Sequence, residues 1–77
     1  MSGLAYDSLT GIFSWTNGPD NGGLGTTYRC YAVDDPSAAG EATGGNTCVV
    51  PGAPTTGTVR LEVAVNGHSY NYDTRSE

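Results

Sequence analysis

The chain is poor in basic residues. Its 77 residues include three Lys plus Arg against eight Asp plus Glu, which gives a formal net charge of −5 at pH 7. This balance repels a phosphate backbone and an anionic lipid surface, so we expect neither nucleic acid nor a membrane as a partner. Long apolar runs are also missing, since none approaches the roughly 20 residues that a membrane-spanning helix needs.

Histidine and cysteine are scarce as well. One His and two Cys cannot supply the four ligands of a structural zinc site. His68 directly follows a predicted turn, and its neighbour Ser69 points to the other face of a strand, so the pair lacks the arrangement of nucleophile, base and orienting acid that catalysis requires. No phosphate-binding loop or nucleophile-elbow motif occurs. We therefore expect no catalytic residue, no cofactor and no metal, and predict a non-enzymatic protein.

The apolar content is low for such a short chain. Hydrophobic residues make up 36% of the sequence and Gly occupies 12 positions, which predicts one domain over residues 1–77 with a thin core. Small scaffolds of this kind usually need a covalent staple or a partner surface. The first seven residues hold neither a basic start nor an apolar stretch, so we expect no secretory signal peptide there. The chain would then be either a whole gene product or a domain excised from a longer protein.

What the chain does have is alternation of apolar and polar residues between clusters of turn residues. The clearest case is residues 58–72, which alternate, turn at Asn66-Gly67 and alternate again, as a two-residue β-hairpin does. The turn fixes the pairing of its two strands. The predicted pairs are Val65 with His68, Val63 with Tyr70, Leu61 with Tyr72, and Arg60 with Asp73.

Four further segments, 4–6, 12–16, 26–33 and 47–50, have the composition of short strands. Together with the hairpin they predict an all-β fold of about six strands, in which strand 26–33 lies inside a sheet. Residues 34–46 are expected to be irregular, with at most a helical turn at 38–42. The side chains expected in the core are Phe13, Trp15, Leu61, Val63, Tyr70 and Tyr72.

The two cysteines, Cys30 and Cys48, each lie inside a predicted strand, 18 positions apart. A disulfide between them would join the third predicted strand to the fourth, and closing such a loop stabilises a protein by about 3 kcal/mol. It would also indicate an oxidising environment. The alternative is a pair of buried thiols that pack as small apolar groups in a reducing compartment.

Aromatic residues offer the best interaction surface in the sequence. Tyr31 faces away from Cys30 on its strand and shares that face with Arg29, and Leu24 is the one apolar residue of the glycine-rich segment 17–25. Tyr and Arg are enriched in protein interfaces, so Tyr31, Arg29 and Leu24 are the interface candidates. The alternative for the tyrosines is ordinary packing over a small sheet.

Several segments resemble known β-sandwich families. Residues 13–23, with Ser-Trp-Thr followed by Pro-Asp-Asn-Gly-Gly, resemble the second-strand region of bacterial fibronectin type III domains, and residues 26–32 and 51–67 are similar to the third and the long penultimate strand of that family. Residues 4–15 are similar to the Tyr-Asp-x-x-Thr-Gly hairpin of bacterial and phage immunoglobulin-like (Ig-like) repeats. The resemblance implies a small Ig-like or fibronectin type III-like antiparallel β-sandwich, incomplete because the chain is shorter than a full type III domain.

The resemblance also implies a function. Small Ig-like accessory proteins decorate and brace phage capsids or tails, which would place this protein on a virion with a protein surface and copies of itself as partners. The alternative is an extracellular adhesion or carbohydrate-binding module excised from a larger secreted bacterial protein. In that case a glycan would be the partner, and Trp15 or Tyr31 would stack on it.

Overall fold

Seven β-strands form the fold, in a computed structural model that describes residues 2–16, 25–65 and 67–76. The described residues contain no helix. In chain order the strands are β1 (Ala5–Asp7), β2 (Ile12–Ser14), β3 (Thr26–Ala32), β4 (Gly40–Thr43), β5 (Thr47–Val49), β6 (Thr58–Val65) and β7 (His68–Arg75). They build two antiparallel sheets, a three-stranded one with order β1-β2-β5 and a four-stranded one with order β4-β3-β6-β7. The prediction of a small all-β antiparallel sandwich is confirmed.

The closing hairpin pairs as its turn predicted. Its ladder runs without interruption from Thr58 opposite Arg75 to Val65 opposite His68, and all four predicted pairs lie in it. Gly67 has a φ of 80°, the left-handed conformation that a type I′ turn needs and that glycine adopts without strain. The turn residue Asn66 lies outside the described residues.

Side chains from both sheets meet in one core. Phe13, Trp15, Leu61 and Val63 are buried there together with Tyr28 of β3, whose ring centroid lies 4.5 Å from that of Trp15. As predicted from its two apolar faces, β3 lies inside its sheet, between β4 and β6.

Segment 34–46 corrects one expectation. It contains a strand, β4, which pairs with β3 from Thr43 opposite Thr27 to Gly40 opposite Cys30, where the sequence pattern allowed only a helical turn. The described part of the chain therefore has seven strands, where about six were expected. Glycine and alanine have weak strand propensity, so the sequence of β4 does not predict a strand. The segment becomes a strand because it forms backbone hydrogen bonds with β3.

Tyr70 corrects a second expectation. Its side chain is 44% exposed, whereas the alternation of β7 placed it in the core, and Tyr72 is only partly buried. Both rings face the inner side of the four-stranded sheet, as predicted. The opposing sheet has only three strands, and β1, the one that approaches β7, is three residues long. It therefore leaves the inner side of the edge strand β7 partly open to solvent.

The predicted disulfide is confirmed. Cys30 on β3 and Cys48 on β5 are bonded, with their Cα atoms 6.3 Å apart, and no described cysteine is free. Because β3 and β5 belong to different sheets, the bond joins the two layers of the sandwich.

The sandwich is closed on the side where β4 is followed by β5. Gly44 and Gly45 have φ values of 68° and 77° in the connection that carries the chain from one sheet to the other. Gly40 lies so close to β5 that a Cβ atom on it would overlap the Val49 carbonyl oxygen. Glycine at this position therefore permits an approach that any other residue would prevent.

Candidate functional site

The sandwich has two outer faces of opposite character. On the four-stranded sheet, side chains that alternate with the core residues point outward, and the three basic residues of the chain, Arg29, Arg60 and Arg75, all lie on this side. We call this outer side of β4, β3, β6 and β7 the charged face. It contains both predicted interface residues that the structure describes, Tyr31 and Arg29.

Arg29 is held on the charged face by three neighbours. Its Nη1 donates to Glu62 Oε2 at 2.9 Å, and its Nη2 donates to the Pro36 carbonyl oxygen at 2.7 Å. Its guanidinium also lies 4.8 Å from the centre of the Tyr31 ring, in a cation–π contact. Tyr31 is consequently only 7% exposed, so this predicted interface residue presents little of its ring to a partner.

Arg60 and Asp73 form a second ion pair on the same face. Arg60 Nε donates to Asp73 Oδ1 at 2.7 Å and its Nη2 donates to Oδ2 at 3.0 Å, the bidentate geometry in which guanidinium and carboxylate bind best. The hydrogen bonds from Arg60 hold the pKa of Asp73 below its usual range, and the same contact raises the pKa of Arg60. Both charges are thus satisfied within the protein.

A hollow of about 270 Å³ lies on the charged face beside Arg29. Small side chains form part of its lining (Thr27, Ala64 and Ser69), with Glu41 and Glu62 beside them. The hydrogen bonds of Arg29 are already directed to Glu62 and Pro36. The hollow therefore combines apolar and charged side chains in its lining but holds no reactive constellation.

The only histidine, His68, is exposed at the start of β7, opposite Val65. Ser69 follows it and lines the hollow on the other face of the sheet. Within the described ranges, no three His, Cys, Asp or Glu side chains lie close enough to share a metal ion. That the protein is not an enzyme stays a prediction.

The outer side of the three-stranded sheet carries exposed apolar side chains. Ile12 on β2 and Val49 on β5 are direct cross-strand neighbours, 36% and 54% exposed. Leu9, in the turn between β1 and β2, is 91% exposed. We call Leu9, Ile12 and Val49 the apolar patch. Ile12 and Val49 are adjacent, and neighbouring exposed apolar side chains of this kind are typical of protein interaction sites.

Local hydrogen bonds hold the turn that carries Leu9. Asp7 accepts the Leu9 N–H on its side chain at 2.9 Å and the Gly11 N–H on its backbone oxygen at 2.7 Å. Gly11 has a φ of 78°, the left-handed conformation that glycine adopts without strain at the end of such a hairpin loop.

The patch is also fixed from beneath. Phe13, which follows Ile12, is fully buried, and Cys48, which precedes Val49, carries the disulfide. The Val50 N–H donates to the Gly11 carbonyl oxygen at 2.7 Å and ties the end of β5 to the turn. The apolar patch is therefore a preformed surface, which reduces the entropy lost when a partner binds.

The interface candidates from the sequence and the apolar patch lie on different sheets. Arg29 and Tyr31 belong to β3, and Leu24 lies outside the described residues. Alternation placed Ile12 on the outer side of its strand, but nothing in the sequence showed that Val49 lies beside it, because β2 and β5 are far apart in the chain. Only a prediction that residues 12–14 pair with residues 47–49 would have placed Val49 beside Ile12.

Comparison with known proteins adds no relative. No protein-family model, no curated protein and no solved structure matches the chain. A search of the described residues for a helix able to cross a membrane found none. The chain's function is therefore inferred from its own residues.

Proposed function

We propose that this protein is a non-enzymatic binding module that docks through its apolar patch onto the surface of a large protein assembly. The exposure of Leu9, Ile12 and Val49 on a rigid frame carries the proposal. Each such side chain costs free energy in water and gains about 25 cal/mol for every Å² that a partner covers.

The charged face is the less favourable docking side. The guanidinium groups of Arg29 and Arg60 are already paired with carboxylates, and covering these pairs would remove their hydration without adding new partners. Keeping them in water also retains the solubility that a net charge of −5 provides. We therefore assign the apolar patch to the partner and the charged face to solvent.

The assembly that we propose is a phage capsid or tail, with the protein as a virion accessory subunit. The support is the resemblance of the hairpin at residues 4–15 to phage Ig-like repeats, since that same hairpin presents Leu9 and Ile12. The buried disulfide suits a particle that persists outside the cell. Docking would also stabilise a small domain, because a partner that binds only the folded state shifts the folding equilibrium.

The alternative, an extracellular adhesion module, shares the disulfide and the apolar patch. Its carbohydrate-binding form has less support. Trp15 is 4% exposed and Tyr31 is covered by Arg29, so neither ring offers the open face on which a sugar stacks. Neighbouring genes distinguish the alternatives: capsid and tail genes favour the virion, and fused secreted domains favour adhesion.

The binding test is co-sedimentation of the tagged protein with purified particles of the phage whose genome carries the gene. We expect the protein to sediment with the particles, and the double variant Leu9→Ser/Val49→Thr to remain in the supernatant. Thr27→Ser on the charged face is the matched control and should sediment like the unsubstituted protein. Equal sedimentation of the patch variant would refute docking through this face, and failure of all forms to sediment would refute the virion assignment.

A further inference from the structure

We propose that two copies of this chain pair through the open edges of their β7 strands, antiparallel and centred on Asn71. The sequence led us to expect that copies of the protein associate, and this proposal names the strand and the register through which they would do so. It does not depend on docking through the apolar patch, which lies on the other sheet.

The first observation is the length of the open edge. β7 is eight residues long and has a neighbour on one side only, β6, among the described residues. The opposite edge of the same sheet is β4, which has four residues and is approached by β5 at Gly40. Among the described residues, the four-stranded sheet thus has one short, obstructed edge and one long edge without a neighbouring strand.

The second observation is that β7 lacks most of the usual protection against edge pairing. Natural edge strands are blocked by Lys, Pro or a β-bulge. Residues 68–75 contain neither Lys nor Pro, and the ladder with β6 pairs every residue of β7 without a bulge. The charged residues of the strand, Asp73 and Arg75, are confined to its last three positions.

The third observation is uncovered aromatic surface along this edge. Tyr70 is 44% exposed and Tyr72 is only partly buried, both on the inner side of the sheet, which the opposing layer covers only in part. A strand added beside β7 would cover these rings at the same time as it satisfies the backbone. A second copy supplies matching tyrosines at the same depth.

The backbone groups available for pairing follow from the hairpin. In a two-residue hairpin the closing pair, Val65 and His68, exchanges hydrogen bonds, and the alternation continues along the strands. At the far end of the hairpin, the Ser76 N–H donates to the Gly57 carbonyl oxygen at 3.1 Å, in agreement with the same alternation. The even-numbered residues of β7 therefore bond to β6. The backbone groups of Ser69, Asn71 and Asp73 point to the open edge.

These positions select the register. With the two-fold axis at Asn71, Ser69 of one copy is opposite Asp73 of the other, and three pairs with about six backbone hydrogen bonds form. Tyr70 of each copy is then opposite Tyr72 of the other, which gives two aromatic cross-strand pairs on the uncovered side. An axis at Asp73 would instead oppose two carboxylates, and an axis at Tyr72 would give a single aromatic pair.

The association is tested by analytical ultracentrifugation of the whole chain from micromolar to millimolar concentration. We expect a monomer–dimer equilibrium that Asn71→Pro abolishes, because proline removes the outward N–H at the axis. Asn71→Asp, which opposes two carboxylates at the axis, should weaken the dimer at least tenfold. Asn71→Thr keeps the N–H and is the control. A monomer throughout the concentration range would overturn the proposal. So would an unchanged dimer in Asn71→Pro and Asn71→Asp, provided that circular dichroism shows both variants to be folded.

The register has its own test by mild oxidation of variants that carry one added cysteine beside the Cys30–Cys48 disulfide. Asn71→Cys should form a covalent dimer, because Cα atoms in a hydrogen-bonded pair lie about 5.5 Å apart, within the span of a disulfide. Ser69→Cys should not, because its counterpart lies on the far side of the axis. Efficient cross-linking of Ser69→Cys with none of Asn71→Cys would overturn the register.

Discussion

Breaking the bond between Cys30 and Cys48 should cost this protein a large share of its stability. The bond closes a loop with a sequence separation of 18, for which the chain-entropy model gives about 3 kcal/mol. A protein of 77 residues has a total stability of roughly 4–12 kcal/mol. The reduced protein should therefore retain roughly 1–9 kcal/mol, and at the low end of this range it would unfold at physiological temperature.

The position of the bond adds a kinetic expectation. Both cysteines are buried in the core, and the bond connects the two sheets. A thiol reductant can reach the sulfurs only when the sheets separate, so the native protein should resist reduction and lose the bond quickly in denaturant. The same burial means that replacing the cysteines leaves small cavities, so Cys30→Ala/Cys48→Ala should lose at least as much stability as reduction does.

Urea unfolding followed by the fluorescence of Trp15, the single and buried tryptophan, measures the effect. The oxidised protein is compared with protein reduced in denaturant and refolded under reductant. We expect a free-energy difference of about 3 kcal/mol. Reductant should leave the midpoint of the double-alanine variant unchanged, which controls for nonspecific effects. Coincident oxidised and reduced curves would refute the assignment of the bond as the staple between the sheets.

Three further predictions concern single residues. Gly40→Ala should destabilise the sandwich severely, because its Cβ would overlap a carbonyl of β5. Gly45→Ala meets open space and should cost only the roughly 1–2 kcal/mol of a left-handed alanine, since Gly45 has a φ of 77°. Equal losses in urea midpoint would contradict the close approach. Ala53 has a φ of 43°, a left-handed conformation that strains any residue except glycine. Ala53→Gly should relieve this strain and raise the stability by about 0.5–1 kcal/mol, after subtraction of the larger entropy of glycine in the unfolded chain. A lower urea midpoint would contradict the strain. Asp73 has a depressed pKa because Arg60 donates hydrogen bonds to its carboxylate. The stabilising contribution of Asp73 is therefore complete above the pKa that it has in the unfolded chain. It is lost below about pH 4, as the pH falls through the lower pKa of the folded protein. Asp73→Asn should flatten that part of the stability profile, and an unchanged slope would count against the ion pair.

The closing hairpin was predictable because its information is local. A two-residue turn with glycine fixes which residues oppose each other, and the alternation of 58–72 then assigns every side chain to a face. The register of Arg60 with Asp73 followed from this alone. The disulfide was predictable as one of two alternatives, since both cysteines lay inside apolar strands.

The features that the sequence did not predict depend on contacts between distant segments. β4 has a glycine- and alanine-rich sequence and becomes a strand because β3 offers it an edge. The exposure of Tyr70 depends on the width of the opposing sheet, and the alternation of residues in β7 gives no information about that width. The apolar patch requires β2 to pair with β5 across more than thirty positions, and Val49 has no local feature that marks it as exposed.

The narrow second sheet links the two proposals. Pairing through β7 would extend the four-stranded sheet across a two-fold axis perpendicular to it, so equivalent faces of the two copies point the same way. Both three-stranded sheets, and hence both apolar patches, would then lie on one side of the dimer, with the charged faces on the other. Two patches on one rigid frame can engage a repetitive surface together, and the second contact forms at the high effective concentration set by the first. A domain with a small docking patch would thereby bind an ordered protein lattice far more tightly than a single copy does.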